Sequence, residues 1–364
     1  MWMGTYPTTP SYILSSGEDL QQYLNAHQQD LIGEKVLAKY GADLSFLPKI
    51  LSIAKALPLQ LHPNKELASK LHREQPDKFS DSNHKPEIAV ALSDFELFVG
   101  FKPLDIISDI FQLEGLQRFL PNHGSSKGID DSALRHICVS MLRASESVVQ
   151  EVQRDLLRLP KESLGQHVYI QDLLPRLQEQ YTSTDNGTLV ALLCMNYMKL
   201  KKGEAVYVPQ DSIHAYLSGD IVECMARSDN VLSTGFCPRA DRDSVDLFVE
   251  TLTFTPHRPE AALLNADRSA KGSGKSWEYA PPAAEFNILA TVLTEGEQET
   301  LKPIFGPSIA IVVEGSGAMS VERESVELKK GYVFFIGQGV QTELKANNGN
   351  GLTVYRAYAE ADRE

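Results

Sequence analysis

Apolar positions along this chain change their period more than once. Over 15–38, Leu20, Leu24, Leu31 and Leu37 recur at loosely helical spacing behind Ser15 and Ser16, either of which can cap a helix. The run Phe46-Leu47-Pro48-Lys49-Ile50-Leu51-Ser52-Ile53 opens a strand-rich section, and 66–73 predicts a short helix. Residues 88–101 are apolar and β-prone with a break at Ser93-Asp94, which predicts a hairpin or two short strands. From 104 to 198 Leu, Ile and Val recur every three or four residues, clearest across 134–142 and 148–159. Breaks fall at Pro121-Asn122-His123-Gly124 and at Leu159-Pro160. This interval predicts a helical insertion between β-rich parts.

After it the β pattern returns and nearly repeats itself. Leu200-Lys201-Lys202-Gly203-Glu204-Ala205-Val206-Tyr207-Val208-Pro209 is matched by Leu328-Lys329-Lys330-Gly331-Tyr332-Val333-Phe334-Phe335-Ile336-Gly337. Each has a basic turn, a glycine and an apolar strand that stops at a turn former. The matching lengths favour duplication and predict two β-rolls. The second has no histidine after its strand, so it is expected to hold no metal. Residues 258–276, rich in Pro, Ala, Gly and Ser, read as loop or linker, and Gly315-Ser316-Gly317 reads as a turn of the later roll.

Composition narrows the functional classes. At 364 residues the chain can form two or three domains, and its net charge of -13 argues against a nucleic-acid or anionic-membrane partner. A small basic pocket for a phosphorylated metabolite is compatible with that charge. Cys138, Cys194, Cys224 and Cys237 show no CxxC spacing and read as reduced, buried thiols of a cytoplasmic (cytosolic) protein. No apolar run approaches the roughly 20 residues of a membrane span. Met1-Trp2-Met3-Gly4-Thr5 lacks the basic and apolar regions of a secretory signal and reads like a chain entered partway through a domain.

Three polar signals in apolar surroundings carry the chemistry: Gln60-Leu61-His62, His84-Lys85-Pro86-Glu87 and His214-Ala215-Tyr216. Gln60 and His62 leave one face of a strand, and Pro63 ends that strand beside them. Glu87 opens the apolar run Ile88-Ala89-Val90-Ala91-Leu92, where a carboxylate is solvated, salt-bridged or bound to a metal. Two imidazoles, a carboxylate and an amide oxygen suit Zn²⁺, one ion per chain. Lys85 stands near enough to meet an anionic substrate group, and His84 is either a hydrogen-bond partner of a ligand or an exposed neighbour. Gly203, Pro209 and His214 have the G-x5-P-x4-H spacing of the second metal motif of cupin β-rolls, with Asp211 where a glycine is common. Glu223 follows the turn-like Gly219-Asp220-Ile221-Val222 and is a candidate acid or base, a sugar-hydroxyl anchor or a partner for an arginine.

Taken in order, these segments resemble the type I mannose-6-phosphate isomerase family. The resemblance rests on Trp2-Met3-Gly4-Thr5, on Leu57-Pro58-Leu59-Gln60-Leu61-His62-Pro63, on Asn83-His84-Lys85-Pro86-Glu87 and on Phe98-Val99-Gly100-Phe101-Lys102-Pro103. It continues through His214-Ala215-Tyr216-Leu217, Gly219-Asp220-Ile221-Val222-Glu223-Cys224-Met225-Ala226 and Ser228-Asp229-Asn230. It implies zinc on Gln60, His62, Glu87 and His214, an active-site lysine and glutamate at Lys85 and Glu223, and a phosphorylated hexose as substrate, with no nucleic acid, no membrane and a monomeric state. The implied fold is mainly β: two cupin-type β-rolls (jelly rolls) with an inserted α-helical domain. The boundaries expected are 1–103 with 199–260 for the catalytic roll, 104–198 for the insertion and 261–364 for a metal-free C-terminal roll. The implied reaction interconverts mannose 6-phosphate and fructose 6-phosphate through a cis-enediol and supplies GDP-mannose synthesis. Departures are also visible. Family members carry a Tyr-Ala-Trp-Gly element ahead of the Trp-Met-Gly segment. A family serine is Pro58 here, a family arginine falls on Ser233, and a family lysine falls on Arg239, which can still bind phosphate. Arg227 and Arg242 are further local cations. Two other readings stay open on these grounds: a non-catalytic zinc or sugar-phosphate-binding relative, and an isomerase of another sugar phosphate.

Overall fold

A computed structural model of the chain describes residues 1–121 and 129–361. The break read at Pro121-Asn122-His123-Gly124 lies, from Asn122 onward, outside the described residues. Eight strands from both sides of the helical stretch form one antiparallel sheet. Phe46–Ile53, Leu59–Leu61, Glu87–Ala91 and Phe95–Phe101 precede the helices, and Met195–Leu200, Ala205–Val208, His214–Ala226 and Leu232–Gly235 follow them. The long strand His214–Ala226 is the hub. Its first half pairs with Leu59–Leu61 and Phe95–Phe101, its second with Phe46–Ile53 and Glu87–Ala91. It bends at Gly219, where φ is 117° and an added Cβ would lie 2.4 Å from the Asp94 carbonyl oxygen. The stretch 219–222, read as a turn, is therefore a bend inside one continuous strand. The sheet curls into a half-barrel around it.

The leading helical stretch is three short helices, Leu20–Ala26, Gln28–Leu31 and Glu34–Tyr40. Asp19, not Ser15 or Ser16, caps the first by accepting from the Gln22 N–H at 3.0 Å, and Gly33 at φ 87° separates the last. The helix Lys65–Glu74 begins on an Asn64 cap. Between the two halves of the sheet lie Leu104–Ile110, Asp131–Leu142, Glu146–Arg158, Lys161–Leu164, Tyr169–Gln180 and Asn186–Cys194. Asp130, Ser145 and Asp185 cap the three that carry side-chain caps, and the Leu159-Pro160 break ends one of them at Arg158. Helix stops at Cys194: 195–198, expected to be helical, already belong to Met195–Leu200, whose pairing with Phe95–Phe101 overrides the apolar spacing. Leu134, Ile137, Val152 and Leu174 of these helices pack on Leu59, Leu61 and Phe98 from the outer face of the sheet. At that seam Gly187 and Gly235 approach so closely that a Cβ on either would lie 2.6 Å from the other's Cα.

A second antiparallel sheet has nine strands: Ala266–Arg268, Ser276–Tyr279, Asn287–Leu293, Gln298–Leu301, Ser308–Val321, Glu324–Lys329, Val333–Ile336, Thr342–Ala346 and Leu352–Tyr358. The stretch 258–276, read as linker, thus contributes a short edge strand paired with Ser276–Tyr279. Gly315-Ser316-Gly317, read as a turn, lies inside the long strand Ser308–Val321. The two halves of the repeat each end in a four-residue strand, Ala205–Val208 and Val333–Ile336. The sheets bury Ile88, Val90 and Val222 of the first against Ile288, Ile309 and Tyr355 of the second. Helix and strand share the chain nearly evenly, which corrects the mainly β expectation: the leading helices and the inserted ones offset the two sheets. No helix among the described residues is long and apolar enough to cross a membrane, and all four cysteines are free and buried.

Candidate metal centre

Strand alternation places the chemistry on the concave face of the first sheet. Ile88 and Val90 point outward to the second sheet, so Glu87, Ala89 and Ala91 point inward. Ala89 aligns with Glu223, and Glu223 with Lys49, which puts an acid and a base side by side next to a small residue. Gln60 aligns with His214 on one side and with Ser233 on the other. The rest of the concave interior is filled by Phe95, Leu97, Val206 and Ile221, so the polar groups are confined to one end.

His62, Glu87 and His214 each have 1% or less of their surface exposed. One donor atom from each lies within 4.8 Å of the others. His62 Nε2 stands 3.1 Å from Glu87 Oε1, and His214 Nε2 stands 3.5 Å from Glu87 Oε2. Both imidazoles are fixed from behind. His62 Nδ1 donates to the Asn230 carbonyl at 2.8 Å and His214 Nδ1 to the Ser212 carbonyl at 3.1 Å. Each ring therefore turns a bare Nε2 lone pair toward the carboxylate, the tautomer a metal ligand needs. His62 Nε2 has no hydrogen-bond partner among the described residues. Burial and then Lys85 push this imidazole down to about 4, so it is neutral and its lone pair is available. The Gln60 amide nitrogen lies 3.3 Å from His214 Nε2, and a half-turn of the amide would present its oxygen instead. Donor chemistry, convergence and the orphaned nitrogen all fit a Zn²⁺ ion.

The surrounding charges are strongly coupled. Lys49 Nζ lies 2.6 Å from Glu223 Oε2, with both side chains about 5% exposed. Burial works against the Lys49 ammonium, but Glu223 and Glu87 outweigh it and raise its pKa. Lys85 Nζ lies 3.6 Å from Glu87 Oε1, and burial followed by Lys49 lowers its pKa. Burial also works against the Glu87 carboxylate, yet the groups packed around it hold it well below the usual range. The Tyr216 hydroxyl donates to Glu87 Oε2 at 3.1 Å.

The structure brings Gln60, His62, Glu87, His214, Lys85 and Glu223 to this end of the sheet. It places Arg239 elsewhere, at the surface, 2.8 Å from Glu146 of the helical stretch and beside a separate pocket with Lys55, Tyr181 and Arg242. Arg242 is held by Asp185 at 2.6 Å and Arg227 faces Asp43 and the Tyr6 ring. His84 spans Gln210 and Glu285, the latter in the segment leading to the second sheet. Ser233 is 9% exposed on the face of Gln60. Asp211 sits at φ 61°, and its carboxylate accepts the backbone and side-chain N–H groups of Asn64 at 2.8 Å each, which ties the His214 turn to the end of the His62 strand. Sequence reading missed Lys49, Tyr216 and the Asp81–Asn230 contacts behind His62. The signal for Lys49 was present: a lone charge inside an apolar strand needs a buried partner.

Residues 1–104 match the family model for the phosphomannose isomerase type I catalytic domain. Among curated relatives, the mannose-6-phosphate isomerase of Schizosaccharomyces pombe is 35% identical over 99% of this chain and 90% of that protein. That of Candida albicans is 34% identical over 99% and 89%. Among solved structures, a variant of phosphomannose isomerase from Salmonella typhimurium superposes with a TM-score of 0.83 at 24% identity, over 99% of this chain and 90% of that one. A zinc-bound mannose 6-phosphate isomerase gives 0.82 at 24% identity over 99% and 90%. At this identity the structural likeness speaks to the fold.

Proposed function

The chain belongs to the type I mannose-6-phosphate isomerase family, and from that premise we propose how its own residues serve a zinc-dependent aldose–ketose isomerase that interconverts mannose 6-phosphate and fructose 6-phosphate. The observation that carries this reading is the buried convergence of His62, Glu87 and His214 with an orphaned His62 Nε2. These three, with the Gln60 amide oxygen, would hold Zn²⁺, which when bound polarises the carbonyl of the open-chain sugar.

The remaining steps fall to the protein. Glu223 takes the proton from the carbon next to the carbonyl and returns it to the neighbouring carbon, the two halves of passage through a cis-enediol. Lys49, 2.6 Å away, pairs with Glu223 in a buried setting and fixes its position. Lys85, its pKa lowered by burial, moves the proton between the two substrate oxygens and offsets developing negative charge. The enclosure excludes water, which strengthens both effects. For the phosphate the chain offers Lys85 inside the site and Arg239 at the surface, the latter only by leaving Glu146. Ser233 beside Gln60 favours one second reading, an isomerase of a different sugar phosphate.

We also propose the parts: 1–103 with 199–260 as the catalytic cupin roll, 104–198 as the helical insertion and 261–364 as a second, metal-free cupin-like roll. The reduced thiols fit a cytoplasmic protein, monomeric, that supplies mannose 6-phosphate toward GDP-mannose. The test is turnover of mannose 6-phosphate deuterated at carbon 2 by zinc-loaded protein. Fructose 6-phosphate formed with a primary isotope effect, and lost in Glu223→Gln, supports the assignment. Full zinc loading without turnover overturns it, and turnover of another hexose phosphate alone selects the second reading.

A further inference from the structure

The buried face of the nine-stranded sheet contains a charge that the isomerase reaction does not use. Arg356 is 2% exposed. On Leu352–Tyr358 it alternates with Val354 and Tyr358 on the face that buries Leu301, Met319, Leu328 and Leu344. Its Nε donates to the Ser308 hydroxyl at 2.8 Å. Nη1 and Nη2 have no hydrogen-bond partner among the described residues. Neither does the Thr342 hydroxyl, 1% exposed, which lines the same small cavity. The other walls are almost wholly apolar, and the space left is that of one water-sized occupant. Burial lowers the guanidinium only to about 10, so it stays charged at neutral pH.

An unpaired guanidinium in an apolar interior is strongly unfavourable on general grounds. Arg356 cannot shed its proton to escape that cost. Among the described residues Glu360 is the carboxylate whose charge acts on it, and it is occupied by Lys271 at 2.8 Å. Thr291, also in the lining, is paired with Ser276, so the unpartnered groups are the two Nη groups and the Thr342 hydroxyl, each able to donate. A water molecule could satisfy some of them but would leave the positive charge unneutralised. Phosphate, sulfate and carboxylate ligands are too large for the space.

We propose that the second sheet binds one halide-class anion, chloride in the cell, between the Arg356 guanidinium and the Thr342 hydroxyl. The ion completes the interior of the second sheet and stabilises it by linkage, since the folded state alone presents the site.

The test uses the full-length, zinc-loaded protein and bromide. Crystals grown in sodium bromide should give an anomalous peak within hydrogen-bonding distance of Arg356 Nη and Thr342 Oγ1. Thermal melting at fixed ionic strength should rise by about 2 °C or more when gluconate is replaced by bromide or chloride. Thr342→Val keeps the shape and the guanidinium and should lose a substantial part of that rise. Arg356→Met should abolish it. A peak without any change in melting means an adventitious ion only and overturns the proposal. No peak, or a melting response unchanged in both variants, also overturns it.

Discussion

Replacing Lys49 by Met tests the electrostatic core of the site. The substitution keeps an unbranched side chain of similar length and removes the charge with its contacts to Glu223, Met225 and the Trp2 ring. At 2.6 Å and an effective dielectric constant of about 20, the attraction between Lys49 and Glu223 is about 6 kcal/mol before desolvation is subtracted. Removing one partner of a buried pair strands the other, and such losses are about 3–5 kcal/mol. Glu223 is 4% exposed and has Glu87 acting on the same lysine, so Lys49→Met belongs at the upper end of that range. Glu223→Gln alone strands the ammonium, while the double variant strands nothing. The double variant should therefore be more stable than either single variant, with a coupling energy of about 2 kcal/mol or more. Urea denaturation of all four proteins measures this. Because the raised Lys49 pKa holds the ammonium charged through neutral pH, the contribution should persist there and be lost as pH rises into alkali, above the ordinary lysine value of 10.5. A Lys49→Met loss below about 1 kcal/mol with strict additivity would refute a coupled pair.

His214→Ala deletes a nitrogen donor, and metal analysis after dialysis should find most of the zinc gone, with turnover falling in parallel. The metal-free protein should lose about 3 kcal/mol of stability as pH falls from 6.5 to about 4, because the unfolded chain protonates His62 before the folded one does; denaturation midpoints across that range check it. Gly235→Ala drives a methyl to 2.6 Å from the Gly187 backbone and should cost about 1–3 kcal/mol, read from melting, without changing the zinc content. Ser233→Arg adds a cation on the face of Gln60 and should raise kcat/KM on mannose 6-phosphate by about tenfold; equal values in both proteins would show the role is already filled.

Parts of this fold could be read from the chain and parts could not, for physical reasons. The pairing strand Phe46–Ile53 and the helices across 131–158 follow their own periodicities, so local pattern was enough. The near repeat of Lys-Lys-Gly ahead of an apolar strand located Ala205–Val208 and Val333–Ile336. The bend at Gly219 and the glycine contact inside Ser308–Val321 were read as turns because glycine signals a turn in most settings. Only the approach of Asp94 in one case and of Gly351 in the other explains them. For the donors, the i and i+2 spacing of Gln60 and His62 was informative because a strand fixes side-chain direction. Lys49 was not found because its partner lies in a strand 174 residues on, and that register depends on the whole sheet. For Arg239 the family position was legible, but its ion pair with Glu146 depends on how the helical stretch packs.

The charges at the metal end explain how a site can work with serine at position 233. Three carboxylates, Glu87, Glu223 and Asp229, act on the two ammonium groups of Lys49 and Lys85. Their sum is negative by one, and a divalent ion turns it positive by one, which already favours an anionic substrate. An arginine at 233 would raise that to two, but it would stand next to Gln60, one strand from His214, and would weaken cation binding at the donors. The absence of that arginine therefore exchanges attraction for the substrate against affinity for the metal. The burial of His62, Glu87 and His214 makes the exchange consequential, because screening is weakest where exposure is 1% or less. On the proposed assignment this leaves Lys85, held 3.6 Å from the Glu87 carboxylate, as the cation that offsets charge on the substrate oxygens.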